Sequence, residues 1–129
     1  MTIITRALVA IIGIFALLGV SQHWFDLDAV HAQRGMLAVG DIGKANLRAD
    51  VGGLFLAIAM LAIFAAVRQN RAAVLAAAAI LSATLLGRFV SVAIDGFGAR
   101  VGPPMAVEAI VIVVLLFAYR TWGKKPEGL

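Results

Sequence analysis

Four apolar runs divide this chain, and each is long enough to pose the question of a lipid solvent. The first is Ile3 to Val20, around ALVAIIGIFALLGV, and the second is Val51 to Val67, VGGLFLAIAMLAIFAAV. The third extends from Ala72 to about Ile94, and the fourth from about Met105 to Tyr119, MAVEAIVIVVLLFAY. One bilayer crossing takes about 20 apolar residues, with a range of roughly 17–25. Composition decides the solvent: 63% of the residues are hydrophobic and only 14% charged, against about 45–50% and about 25% in ordinary soluble domains. In water such a chain would expose large apolar patches. The sequence therefore predicts an all-α integral membrane protein, an antiparallel four-helix bundle forming a single domain over residues 1–129, with helices at about 3–20, 51–68, 72–94 and 105–120.

The connections constrain how those helices pair. The second and third are joined by RQNR, a tight polar turn that makes them antiparallel neighbours. The third and fourth are joined by DGFGARVGPP, where glycines end one helix and the proline pair begins the next. The long connection, Ser21 to Ala49, mixes Trp24, Phe25, Leu27, Val30 and Leu37 with charged residues. Asp26 or Asp28 is placed to cap a short helix there, and two forms stay open: a short interfacial helix, or an ordered loop packed on the bundle end. Arg6 before an apolar run and the small-residue AVHAQ imitate a signal peptide, but that site lies past Asp26 and Asp28, too far beyond the run for ordinary processing. The first segment is expected to stay as a helix.

Basic residues set the expected orientation. Arg6, Arg68, Arg71, Arg120, Lys124 and Lys125 fall on one side, while the loops of the other side hold Arg34, Lys44 and Arg100. By the positive-inside rule both termini are cytoplasmic. The formal net charge of +4 comes from scattered residues rather than a basic stripe, which argues against a nucleic-acid partner.

Polar residues converge at the opposite end. Arg88, Ser91 and Asp95 are spaced three and four apart, on one helix face. Glu108 is near the start of the fourth helix, and Asn46, Arg48 and Asp50 stand at the mouth of the second. A charge within the bilayer costs about 2.5–3.5 kcal/mol on insertion scales and usually faces the bundle interior with a partner. The expected pairs are Arg88 with Glu108 and Arg48 with Asp95, with Asp50 capping its own helix. Such a cluster either locks helix ends together or forms a ligand, ion or proton site. Ala79, Ala83, Gly87 and Ser91 form a small-residue strip on the third helix, and Gly53 with Ala57 a shorter one on the second, both suited to close helix packing.

Several chemistries drop out. Without cysteine there is no disulfide, iron–sulfur cluster or thiolate site. No histidine falls inside a predicted helix, which speaks against a bis-histidine haem. His23, Asp26, Asp28 and His31 offer nitrogen and oxygen ligands to a metal, at a spacing that matches no standard site. GFGARVG nearly imitates a dinucleotide fingerprint, but its third glycine is one position late and no strand precedes it. No nucleophile elbow or phosphate-binding loop is present. No cofactor is expected.

RADVGGLFLAIAM over 48–60, GRFVSVAIDG over 87–96, and Glu108 in the last helix together resemble a family of small bacterial four-helix inner-membrane proteins classed as a domain of unknown function. The matching positions are Arg48, Gly52, Gly53, Gly87, Arg88, Asp95 and Gly96. The resemblance covers about three-quarters of the chain. It implies the fold and a bacterial cytoplasmic membrane, and no substrate or reaction. The leading expectation is a non-enzymatic accessory subunit that binds another membrane protein or a second copy of itself. The alternative is a small-molecule or lipid binding protein, a carrier or proton pathway included, with a charged pocket at the outer face. An enzyme using Asp95 and Glu108 as acid and base ranks third.

Overall fold

The structure is a computed structural model that describes residues 1–123. Lys124 and Lys125, counted above for orientation, lie outside the described residues. Five helices and no strand are found among the described residues: α1 Thr2–Phe25, α2 Leu27–Arg34, α3 Gly40–Arg68, α4 Arg71–Asp95 and α5 Gly102–Trp122. All but α2 are long and apolar enough to cross a membrane, so this is an all-α, multi-pass membrane protein. α1 packs on α3, α3 on α4, α4 on α5, and α5 back on α1, closing a four-helix ring.

Local chemistry places each break. Asp26 ends α1 and also caps α2, its carboxylate accepting the Ala29 N–H at 3.3 Å. Gly35 stops α2 in the left-handed region, φ 65°, where a side chain would be strained. Asn70 caps α4 by accepting the Ala73 N–H at 2.9 Å, and Pro103 and Pro104 occupy the first turn of α5, where no backbone donor is missed.

Two helices run well past their expected limits. α1 reaches Phe25 rather than Val20, and α3 begins at Gly40 rather than Val51. Hydropathy marks where the lipid ends, but a helix needs only its own backbone bonds and continues past that level through charged residues. Of the long connection only Asp26 and residues 35–39 are non-helical. α2 takes the short-helix form, with Leu27 and Val30 buried.

The tightest packing is at the end where α1 begins and α5 finishes. Val9, Ala62, Ala65, Ala66, Ala73, Val74, Ala77, Ala78, Leu115 and Ala118 form one buried cluster. Arginines there satisfy carbonyls that a helix end leaves without an internal partner. Arg6 donates to Ala66 O at 2.9 Å and Val67 O at 3.3 Å, and Arg71 donates to Tyr119 O at 3.0 Å while stacked over the Tyr119 ring. Trp122 Nε1 donates to the buried Thr5 hydroxyl at 2.8 Å, tying α5 to α1.

The expected small-residue strips are not the ones used between helices of this chain. Ala79, Ala83 and Gly87 are exposed, Ala57 is half-buried, and a Cβ at Gly53 would meet nothing within 4 Å. The close approaches belong instead to Gly13 against Ile63, Gly19 against Phe55 and Gly52 against Trp24. Every fully buried residue of α4 lies at or before Ala78. The second half of α4 therefore rests mainly on α5, with its small-residue strip turned outward.

Candidate functional site

The end of the bundle away from the termini gathers the polar side chains. Arg88 and Glu108 meet across α4 and α5, the pairing expected from sequence. Arg88 Nε donates to both carboxylate oxygens, at 3.0 and 2.9 Å. The side chains are 37% and 15% exposed, so the carboxylate is mostly enclosed while the guanidinium reaches outward. It is the one ion pair among the described residues. Arg88 engages Glu108 through Nε alone, and its two terminal amino groups make no hydrogen bond among the described residues.

The second expected pair is not formed. Arg48 faces α1 and donates from Nε to Trp24 O at 3.1 Å, while Trp24 Nε1 donates back to Arg48 O at 3.1 Å. The Trp24 carbonyl is free because it lies in the last turn of α1, and a charged donor takes it before any carboxylate on α4. Asp95 is exposed and receives only the Ser91 hydroxyl, at 3.4 Å. Asp50 caps nothing, because α3 has already run for several turns when it reaches Asp50. Asn46 and Asp50 are exposed along that helix. The segment Leu47–Gly52 is wound as a π-helix, and the Trp24 indole lies against Gly52 within it.

His23, Asp26, Asp28 and His31 do not assemble a metal site, and no group of ligands suited to a metal is found among the described residues. Each is used or directed separately. His23 lies inside α1, contrary to expectation, and is wholly buried. Its Nδ1 is 2.8 Å from Gly19 O, an acceptor, so Nδ1 carries the proton and the buried Nε2 is left without a partner. Asp26 is the α2 cap, Asp28 is exposed, and His31 Nε2 accepts the Ala38 N–H at 3.2 Å. With His23 and His31 both in helices, the argument against haem from helix-free histidines loses its premise.

Sequence reading missed Arg34, counted there only as a loop charge. Its guanidinium carbon stands 5.1 Å over the Phe55 ring, and Phe55 stacks on His23 with centroids 5.2 Å apart. Burial first, and the neighbouring Arg88 charge second, hold the Arg34 pKa below its ordinary value. Only the Arg-Gly pair that ends α2 hinted at a fixed position for Arg34.

Two open grooves mark the described surface at places other than the ion pair. One is lined by Trp24, Phe25, Ala45, Arg48 and Ala49, the other by Leu17, Met60, Ile63, Phe64, Val67 and Arg68. Arg88 and Glu108 line neither of these two. Compared with known family models, curated proteins and solved structures, the chain matches none.

Proposed function

We propose that this is a non-enzymatic binding protein of the bacterial cytoplasmic membrane, with both termini cytoplasmic. Its charged cluster takes a small molecule or lipid at the outer face. The resemblance to the family of unknown function belongs to the same proposal. One observation carries the binding reading: Arg88 holds Glu108 through Nε and leaves its two terminal amino groups without a partner among the described residues. A purely structural pair would more naturally use the parallel two-bond fork. Mild extraction followed by native mass spectrometry tests it. A retained small molecule or lipid, lost in Arg88→Lys with the melting curve unchanged, is expected, because lysine lacks the planar set of donors. A bare chain, or a substitution that does nothing but unfold the protein, refutes it.

A second reading, an accessory subunit, has its own support. Ala79, Ala83, Gly87 and Ser91 face away from the bundle, a surface that lets another helix approach closely. Ala83→Leu is expected to leave the isolated chain as stable as before and to abolish any stoichiometric complex seen in mild detergent. A complex that survives it refutes this reading.

A further inference from the structure

We propose that the groove beside Trp24 and Arg48, where α1 ends, is a headgroup site for an anionic phospholipid. This site goes beyond the reading above, since neither Arg88 nor Glu108 lines it.

Arg48 and Trp24 clasp one another through two 3.1 Å hydrogen bonds, from Arg48 Nε to Trp24 O and from Trp24 Nε1 to Arg48 O. The indole is seated against Gly52, where a Cβ would lie 2.6 Å from Nε1. Phe25 meets it edge-on, with ring centroids 6.3 Å apart. The clasp uses only Nε of Arg48. Its two terminal amino groups have no acceptor among the described residues, and no carboxylate there is within ion-pair distance. An arginine fixed at Nε presents its terminal amino groups as a fork, the arrangement that takes two phosphate oxygens at once. Arg48 also belongs to the π-helical segment Leu47–Gly52, a rare winding that recurs at functional sites.

Shape and depth point to lipid rather than a soluble anion. The groove measures about 430 Å³ and is lined by Trp24, Phe25, Ala45, Arg48 and Ala49. It is open-sided, whereas a soluble ligand is held with most of its surface buried. A lipid has no such need, because its tails stay among other lipids. Trp24 lies 18 positions beyond Arg6 and Arg48 lies 20 positions before Arg68, so about 27 Å along α1 and about 30 Å along α3 at about 1.5 Å per residue. Both lengths match a hydrocarbon layer about 30 Å thick, which puts the clasp at the headgroup boundary opposite Arg6 and Arg68. A second groove opens between the same two helices, its lining including Leu17 and Met60. Leu17 is seven positions before Trp24, two turns down the same face of α1 and about 10 Å deeper. A phosphate on Arg48 therefore has an apolar groove beneath it for an acyl chain. The unpaired guanidinium carries one positive charge, which an anionic headgroup neutralises; a choline headgroup brings its own cation and does not.

The test is native mass spectrometry of the full chain in neutral detergent, with equimolar phosphatidylglycerol and phosphatidylcholine. Wild type is expected to retain phosphatidylglycerol about fivefold better, the weight of one basic side chain at an anionic headgroup. Arg48→Gln should remove that preference. Ala45→Leu keeps the charge but projects three more carbons into the groove from an exposed helical position. It should keep the wild-type melting curve and bring phosphatidylglycerol retention down to that of phosphatidylcholine, and it decides alone should Arg48→Gln unfold. Arg88→Lys should leave the preference intact, which separates this site from the ion pair. Equal retention of both lipids by wild type, or an undiminished preference in Arg48→Gln or Ala45→Leu, overturns the proposal. A preference lost in Arg88→Lys and kept in Arg48→Gln moves the lipid to the ion pair and overturns it as well. Displacement of the lipid by equimolar inorganic phosphate overturns the lipid source. A lipid-free dimer that Ala45→Leu splits overturns the proposal in favour of a second copy of the chain.

Discussion

Adjacent glycines in α3 should behave as opposites. Gly52 and Gly53 both have ordinary helical backbone, φ −62° and φ −64°, so alanine is allowed at either by conformation. Only their surroundings differ. A Cβ at Gly52 would lie 2.6 Å from Trp24 Nε1 and 2.7 Å from Trp24 Cδ1, whereas one at Gly53 meets nothing within 4 Å. If the indole stays in place, the overlap costs about 1–3 kcal/mol. Trp24 is 37% exposed and can instead swing away, but then both 3.1 Å bonds with Arg48 are lost, at about 0.5–1.5 kcal/mol each. Either route gives a similar penalty. The gain of about 1 kcal/mol from replacing glycine by alanine in a helix applies to both sites, so it cancels in the comparison. Gly52→Ala should therefore be about 1–3 kcal/mol less stable than Gly53→Ala, measured by denaturant titration of helical circular dichroism in detergent. In a Trp24→Ala background most of the difference should disappear, leaving only the milder contact of the Gly52 Cβ with His23 Cβ at 3.3 Å. Equal stabilities of the two variants, or a difference undiminished by removal of Trp24, would refute the reasoning.

Glu108→Ala leaves Arg88 without its carboxylate and should cost about 1.5–3 kcal/mol, the range for a hydrogen bond to a charged group; an unchanged unfolding midpoint would mean the pair adds nothing to stability. Trp122→Phe keeps the ring but removes its bond to the buried Thr5 hydroxyl, and should cost about 0.5–1.5 kcal/mol in the same titration. Asp26→Ala removes the α2 cap, worth about 0.5–2 kcal/mol; hydrogen exchange should quicken over Leu27–Arg34 while the four spanning helices stay protected. The chain has no cysteine, so single cysteines report its orientation cleanly. Gly98→Cys should react with an impermeant maleimide on intact cells and Gln69→Cys only after permeabilisation, and the reverse pattern would invert the proposed topology.

Much of the fold was legible because a bilayer imposes one strong rule, that every backbone polar group be satisfied within its own segment. The four runs became four helices, and the RQNR turn, the Asp26 cap and the proline start of α5 all lie where their chemistry put them. The Arg88–Glu108 pair was legible for a related reason. The short connection between α4 and α5 brings the end of one beside the start of the other, and a charge at that depth needs a partner.

Arg48 marks where this reasoning stops. Its sequence position placed it beside Asp95, but its face on α3 was set by packing against α1, and there a free carbonyl was nearer than any acid. Which small-residue strip packs inside the bundle is decided at the same level. With alanine so abundant, several faces of α4 qualify, and only the packed bundle selects the one bearing Ala73, Ala77 and Ala78 over the one bearing Ala79 and Ala83. Sequence by itself thus determined the solvent, the number of crossings, the breaks between helices and one ion pair, because each follows from local composition or a short connection. Tertiary structure alone decided that α2 carries Arg34 to the Phe55–His23 stack. Contacts between residues so far apart depend on helix rotation and depth, which no single segment encodes.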